Sequence, residues 1–384
     1  MHRFNIHGLD LSALNKVLRS SFPDLSYEIV DDSLRFLALT TSQEEDIKTL
    51  IFALKASSAY RDKSSERTSV FVRSKQSLRN SRDVHAELER RGDLVWLGEG
   101  LALLSGGFLT VKRALERYWF EYATKEVGAE ELENPALWSA KVANQSEYLS
   151  DFPHEATFIF GAKRDSRSIA CVSQATAQDA SFWKKLDASS ISDSISLLGF
   201  CQPSVCTSCY YALGQRSNLS DAFYTTYNRV FRNEGTTRLD RLLSFSVRDT
   251  IAVGSDEFVR YAREMFLSKA KEFVRAISIE AEVSRATDPF FASKASKLFF
   301  QKTADLKHEI QAFIPCDNQC IAVGSVNLHL QTFGARFSMN VDSGVASSAC
   351  FGIGFERLAY ALFSQNGPDH SKWDKSILGV LGLR

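Results

Sequence analysis

The sequence predicts an α+β protein in two parts: a small N-terminal α+β appendage, then a large domain built on an antiparallel sheet flanked by helices. Three observations carry this. Short strand-like and helix-like pieces alternate through residues 1–60. From Ala86 the texture changes, with Gly98, Gly100, Gly106 and Gly107 punctuating an apolar stretch. The remainder is strand-rich, with a hairpin pattern over residues 223–249 and helical patterns over 256–277 and 356–364.

Within the appendage, Leu11 to Leu18 has helical spacing, Leu34 to Leu39 reads as a strand, and Ile47 to Leu54 is helical again. Arg61, Lys63, Arg67, Arg73, Lys75, Arg79 and Arg82 then stand against only Asp62 and Glu66. The expected role of this stretch is a solvated linker, with a docking patch for an acidic partner as the functional alternative. The boundaries read from this are 1–85 for the appendage with its basic linker and 86–384 for the catalytic domain. Val111 to Glu126 is a plausible amphipathic helix opening the second part.

Lysine plus arginine equals aspartate plus glutamate, 46 each, so the chain lacks the basic excess usual in a dedicated nucleic-acid binder. Neither a membrane-length apolar run nor a signal-peptide core at Met1 to His7 is visible, so the expected compartment is the cytosol. In that reducing setting seven cysteines are not a disulfide framework, and clustered ones become metal or catalytic candidates.

Tyr227-Asn228-Arg229-Val230-Phe231-Arg232-Asn233-Glu234 reads as a strand, in which Arg232 and Glu234 share a face. Gly235-Thr236-Thr237 supplies a turn, and Phe245, Val247 and Asp249 share one face of the next strand. Such a hairpin offers a guanidinium for a phosphate, an aromatic ring for a base, and two carboxylates. Taken alone it is equally a half-buried hairpin with a surface ion pair. Downstream, Ser347-Ser348-Ala349-Cys350-Phe351 looks like a strand. Gly352 and Gly354 allow close backbone approach, and Glu356-Arg357-Leu358 starts a helix.

Phe-Arg-x-Glu followed by Gly-x-Gly-x-Glu-Arg resembles motifs 2 and 3 of the class II aminoacyl-tRNA synthetases, with Tyr148 to Pro153 supplying a motif 1 proline at a homodimer interface. Within that class the sequence is most similar to the amino acid:[carrier protein] ligases, relatives of the zinc-dependent seryl-tRNA synthetases. The segments that carry this are Phe152-Pro153-His154, Cys209-Tyr210-Tyr211, Arg241 to Asp249, Asp288-Pro289-Phe290-Phe291, Leu306 to Glu309, Ser325 to His329 and Ala349-Cys350. The likeness runs from Leu88 to the C-terminus.

The resemblance implies an ATP site in which Arg232 grips the α-phosphate, Glu234 accepts from the adenine amino group, Phe245 stacks on the adenine, and Arg357 holds the γ-phosphate. Mg²⁺ would bridge the phosphates. It further implies a functional zinc held by Cys209, Asp249 and Cys350, the substrate amine taking the open position, with Asp249 standing where the family usually has Glu. Lys307, Glu309, Asn327 and His329 match positions lining the amino-acid pocket, although a lone strand histidine is more often a core or surface residue. Arg216 and Arg241 could be phosphate contacts or surface charges.

A rival metal reading joins Cys206 and Cys209, which have structural-zinc spacing, to Cys316 and Cys320. The sequence favours instead buried apolar packing for Cys201 and Cys206. The implied reaction is formation of an aminoacyl-adenylate from a small amino acid, then transfer to the phosphopantetheine thiol of an acidic carrier protein. The alternatives are transfer to tRNA, with residues 1–85 as an RNA-binding appendage, and a synthetase paralogue that only binds its ligands. The appendage lacks helices long enough for a coiled-coil arm.

Overall fold

The computed structural model describes residues 2–7, 9, 11–22, 24–59, 70–72, 82–177, 192–233, 236–286, 288 and 305–383. Its centre is a mostly antiparallel sheet, with strands numbered here in chain order as β1 (Val70–Val72), β2 (Glu130–Glu131), β3 (Ala222–Phe231), β4 (Ser244–Gly254), β5 (Ala281–Arg285), β6 (Lys307–Ile314), β7 (Gln319–Leu330) and β8 (Ser347–Gly354). The spatial order among the described residues is β1-β5-β6-β7-β8-β4-β3-β2. Every pairing is antiparallel except β2 with β3.

The expected hairpin is present as β3 and β4, in unbroken register from Ala222↔Val253 to Phe231↔Ser244. Its first strand begins earlier and ends earlier than the sequence suggested. β3 ends at Phe231, so Arg232 lies just beyond the strand, and Glu234 is outside the described residues. The first strand of the appendage pattern contracts to Ser33–Phe36.

One face of the sheet is covered by helices α1 (Gly106–Glu121), α3 (Asp256–Ala276) and α4 (Phe355–Asn366). Inward-facing Ala252, Ile310, Ala312, Val326, Phe351 and Ile353 join Trp119, Phe266, Phe273 and Leu358 in the main core. The helix α4 is buried nearly all round, which is why its sequence, FERLAYALFSQN, reads as apolar rather than amphipathic. At roughly 1.5–3 kcal/mol for each large apolar side chain removed from water, this layer is the main stabilising element of the larger unit. It holds the opposite face of the sheet in place.

The opposite face is only partly covered. Helix α2 (Cys206–Leu213) packs there and forms a second cluster with Tyr224, Ile251, Phe337, Met339 and Cys350. A three-stranded sheet of Leu137–Trp138, Ile195–Cys201 and Phe158–Ala162 lies beside it and runs through Gln202 and Pro203 into α2.

The N-terminal unit is α+β as expected: strands His2–Asn5, Tyr27–Val30 and Ser33–Phe36 with helices Leu11–Ser21 and Thr41–Ala59. Its core of Ile6, Leu14, Val17, Leu18, Leu34, Phe36, Ile47, Leu50 and Leu54 is separate from the main one. The division is not cleanly at residue 85. Val70–Val72, assigned by sequence to the appendage, pairs with Ala281–Val283 at the edge of the large sheet, and Val84 enters the main core. Apart from residues 70–72 and Arg82, the basic stretch lies outside the described residues.

No described helix is long and apolar enough to cross a membrane.

Candidate active site

Strand register gathers the candidate residues on the open sheet face. Asp249 on β4 pairs with Gly352 on β8, Gly352 with Ser325 on β7, and Ser325 with Glu309 on β6. One row further along stand Ile251, Cys350, Asn327 and Lys307. Cross-strand partners share a face, so four distant sequence segments present side chains to one surface.

The cysteine assignment needs correction. The donor atoms that lie within 4.8 Å of one another belong to Cys206, Asp249 and Cys350. Cys209 sits one helical turn further into α2, buried, with its thiol directed at the Val205 carbonyl at 4.0 Å. Burial, and then Asp249, push that thiol up to about 12, as expected of an inert packed cysteine. The two positions exchange the roles the sequence suggested, because Cys206 occupies the first turn of α2, where the helix N-terminus meets the sheet. There the Cys206 backbone N–H donates to the Asp249 carboxylate, and the Cys206 sulfur lies within 4.8 Å of it.

Hydrogen bonding from Cys206 holds Cys350 well below the usual thiol range, against the effect of burial and with help from His329 and Asn327. The Asn327 Nδ2 donates to Cys350 Sγ at 3.5 Å, and His329 Nε2 lies 3.7 Å from the same sulfur. His329 is in turn set by Tyr210 OH at 3.3 Å and Ser348 Oγ at 3.2 Å, both on Nδ1. The Cys206 thiol is pushed well above its ordinary value by its bond to Cys350 and by burial. Burial and the charge at Cys350 raise Asp249 to about 8, against Cys206 and Arg232. Three acidic donors thus share one buried spot in which only one ionises readily. A divalent cation would let all three ionise, so the donor set fits a metal. Cys316 has Asp317 Oδ1 at 3.6 Å and Cys320 is exposed; neither joins this group.

Gly352 is the glycine this arrangement requires, because a Cβ there would run into the Asp249 carboxylate. Gly354 has ordinary room around it and serves as the residue before α4.

At the other end of β4, Phe245 is buried. The guanidinium carbon of Arg232 stands 5.6 Å from its ring centre and that of Arg357 5.7 Å. The structure therefore brings together three of the four expected nucleotide-contacting residues, as cation–π pairs on one ring. Arg357 is in the first turn of α4, next to Glu356. The buried Glu356 carboxylate accepts from Ser246 N at 2.8 Å and Ser246 Oγ at 3.0 Å, which fastens the start of α4 to β4.

Lys307 and Glu309 are buried and paired at 2.9 Å, with Lys307 also bonded to Asp288. Asn327 and His329 reach the Cys350 sulfur directly. Arg216 is turned toward Glu130 at 3.7 Å and Tyr224 OH at 3.3 Å, outside this constellation.

Glu155 escaped the sequence reading, and Tyr148 and Cys206 entered it only in other roles. Pro153 opens a 3₁₀ turn that delivers Glu155, buried, to within 3.6 Å of Arg232 Nε, and Tyr148 OH donates to the same carboxylate oxygen. No periodicity marks such residues, since the turn that places them is irregular.

The chain has the fold of the seryl-tRNA synthetases and is similar in sequence to amino acid–carrier-protein and serine–tRNA ligases. Among solved structures, the seryl-tRNA synthetase of M. kandleri, solved with A. aeolicus tRNASec, superposes with a TM-score of 0.68 at 19% identity, over 93% of this chain and 73% of that one. The seryl-tRNA synthetase of Pyrococcus horikoshii, complexed with ATP, gives 0.55 at 13% identity, over 78% and 62%. No protein-family model matches the chain.

Proteins similar to it in sequence include amino acid:[acyl-carrier-protein] ligases and type-2 serine–tRNA ligases. Ligase 1 of Bradyrhizobium diazoefficiens is 29% identical over 265 residues, 68% of this chain and 78% of that protein. Ligase 2 of the same organism is 32% identical over 155 residues, 40% of this chain but less than half, 46%, of that protein. The type-2 serine–tRNA ligase of Methanococcus aeolicus is 21% identical over 328 residues, 81% and 61%.

Proposed function

We propose that the protein activates a small amino acid with ATP and transfers the aminoacyl group to the phosphopantetheine thiol of a carrier protein. The observation that carries this is the shared sheet face: Arg232, Phe245 and Arg357 at one end of β4 and Cys206, Asp249 and Cys350 further along it. A nucleotide and an amino acid held there would meet over Gly352 and Ser325, the small residues between Asp249 and Glu309.

Phe245 would stack on the adenine, Arg357 would hold the γ-phosphate, and Glu234 would accept from the adenine amino group. Arg232 would bind the α-phosphate, where negative charge grows as the carboxylate attacks. Pyrophosphate leaves, and the acceptor thiol later displaces AMP. The chain needs no side-chain nucleophile for either step: it positions the reactants and stabilises charge. Cys206, Asp249 and Cys350 would hold Zn²⁺, which supplies an open coordination position for the substrate's free amine. Asn327 and His329 would fix the cysteine side of that site, and Lys307 and Glu309 would line the amino-acid pocket. Mg²⁺ would accompany ATP.

The carrier acceptor is supported by the names of the Bradyrhizobium relatives. Transfer to tRNA is the second reading. It is favoured by the likeness to the M. kandleri protein, whose 93% coverage of this chain exceeds what residues 86–384 alone could supply and so extends into the N-terminal unit. We further propose a cytosolic homodimer, with residues 1–85 as a unit that assists transfer rather than adenylation.

The test is amino-acid-dependent ATP–pyrophosphate exchange across a panel of amino acids, with zinc supplied. Exchange with one small amino acid is the expected result, and its absence with every amino acid would refute activation. Radiolabelled amino acid should then move to holo carrier protein. Movement to tRNA alone would favour the second reading.

A further inference from the structure

Arg232 is held from one side by a buried carboxylate. Its Nε lies 3.6 Å from Glu155 Oε2, and its Nε and Nη2 donate to the Pro203 carbonyl at 3.4 and 3.5 Å. Both contacts use the Nε–Nη2 edge of the guanidinium, while the Phe245 ring lies against its face. Edge and face contacts together define the plane of a group that otherwise rotates about a long flexible stem.

The carboxylate is itself fixed. Tyr148 OH donates to the oxygen that faces Arg232, and the Glu155 backbone carbonyl accepts from Asn233 N at 3.4 Å. Tyr148 is set by ring contacts with Trp138 at 5.8 Å and Phe152 at 4.8 Å. Glu155 and Tyr148 come from the helix and 3₁₀ turn at 148–155, while Arg232 comes from the end of β3. This pairing therefore ties the turn to the loop that carries the phosphate-binding arginine.

We propose that Glu155, held by Tyr148, is the positioning residue for Arg232: it orients the guanidinium for the α-phosphate. This rests on the adenylate-forming role proposed for the site. A carboxylate at 3.6 Å on Nε is an ion pair that a neutral amide cannot replace, and the burial of Glu155 keeps water from substituting for it. Among the described residues, the hydrogen bonds and ion pair of Glu155 go to Arg232, Tyr148, Phe152 and Asn233, not to Phe245, Cys206, Asp249 or Cys350. Loss of Glu155 should therefore act on the chemical step and leave ground-state ATP binding nearly intact.

Three measurements on the full-length chain decide this. The first is ATP–pyrophosphate exchange by Glu155→Gln and Tyr148→Phe. The expected result is kcat lowered about tenfold to hundredfold for Glu155→Gln and severalfold for Tyr148→Phe, with KM for ATP changed less than about threefold. A fall of equal size in ATP affinity would overturn the proposal. The second is a double-mutant cycle, in which Glu155→Gln should cost nothing further in an Arg232→Ala background; additive losses would overturn it.

The third does not need activity: the ¹⁵Nε–H resonance of Arg232, assigned by its disappearance in Arg232→Lys. It should be shifted and slow to exchange in the wild type, and move toward the free-arginine position in Glu155→Gln. An unchanged signal would overturn the proposal. Absent exchange in the wild type would instead refute adenylation, while the Arg232 resonance would still report whether Glu155 orients it.

Discussion

The Cys206 thiol donates a hydrogen bond to the Cys350 sulfur across the gap between the N-terminus of α2 and strand β8. This contact, with Asp249 beneath it, decides which cysteines would bind metal. Purified Cys206→Ala and Cys350→Ala should each lose bound zinc, measured by metal analysis, whereas Cys209→Ala should retain it. Cys209→Ala removes one buried sulfur and should cost only about 1 kcal/mol of stability. Zinc retained in Cys206→Ala would sink the assignment.

The two glycines before α4 should behave differently. Gly352→Ala places a methyl group against the Asp249 carboxylate, so zinc should be lost and stability should fall by about 1–3 kcal/mol. Gly354→Ala meets only an ordinary contact, the Val323 carbonyl oxygen at 3.8 Å, at negative φ, and its unfolding free energy should be unchanged or rise by about 0.4–1 kcal/mol. Equal effects in denaturant titrations would contradict the geometry.

Phe245 presents the one ring that Arg232 and Arg357 share. Phe245→Leu keeps an apolar group but removes the π face. The expected outcome is a KM for ATP raised roughly tenfold, with a melting temperature within a few degrees of the wild type. An unchanged KM would remove Phe245 from the nucleotide site.

Lys307 neutralises two carboxylates inside the pocket. Burial alone would lower its pKa, but Asp288 and then Glu309 outweigh that and raise it above the ordinary lysine value. Because the folded pKa is the higher one, the stability it contributes is fully present below the unfolded value of about 10.4 and is lost as pH rises through the folded one. Lys307→Met leaves Glu309 and Asp288 without their shared cation and should cost about 3–5 kcal/mol near neutral pH, partly recovered by Lys307→Met/Glu309→Gln. A Lys307→Met protein that melts with the wild type would show that the pair contributes nothing net.

Much of this arrangement was legible in the sequence, and the reasons are local. Alternation along β4 put Phe245 and Asp249 on one face, and a strand followed by Gly-x-Gly and a helical start located Arg357 in the first turn of α4. These inferences hold because a strand has a period of two and a helix a defined beginning. Neither depends on what packs against the element.

What the sequence left open lies where two elements meet. Cys206 and Cys209 are three residues apart and so lie on the same side of α2. Helical spacing alone ranks neither above the other. The docking of α2 by its N-terminus onto β4 and β8 decides it, turning Cys206 toward Asp249 and burying Cys209 behind. Glu155 is the sharper case: an irregular turn brings it to Arg232, and no local pattern records that meeting. The sequence by itself determined the strands, their faces and the residue types that could bind a nucleotide. Tertiary structure alone decided which sulfur meets the carboxylate and which carboxylate holds the arginine, because those contacts are set by how rigid elements pack, and side-chain periodicity carries no information about packing.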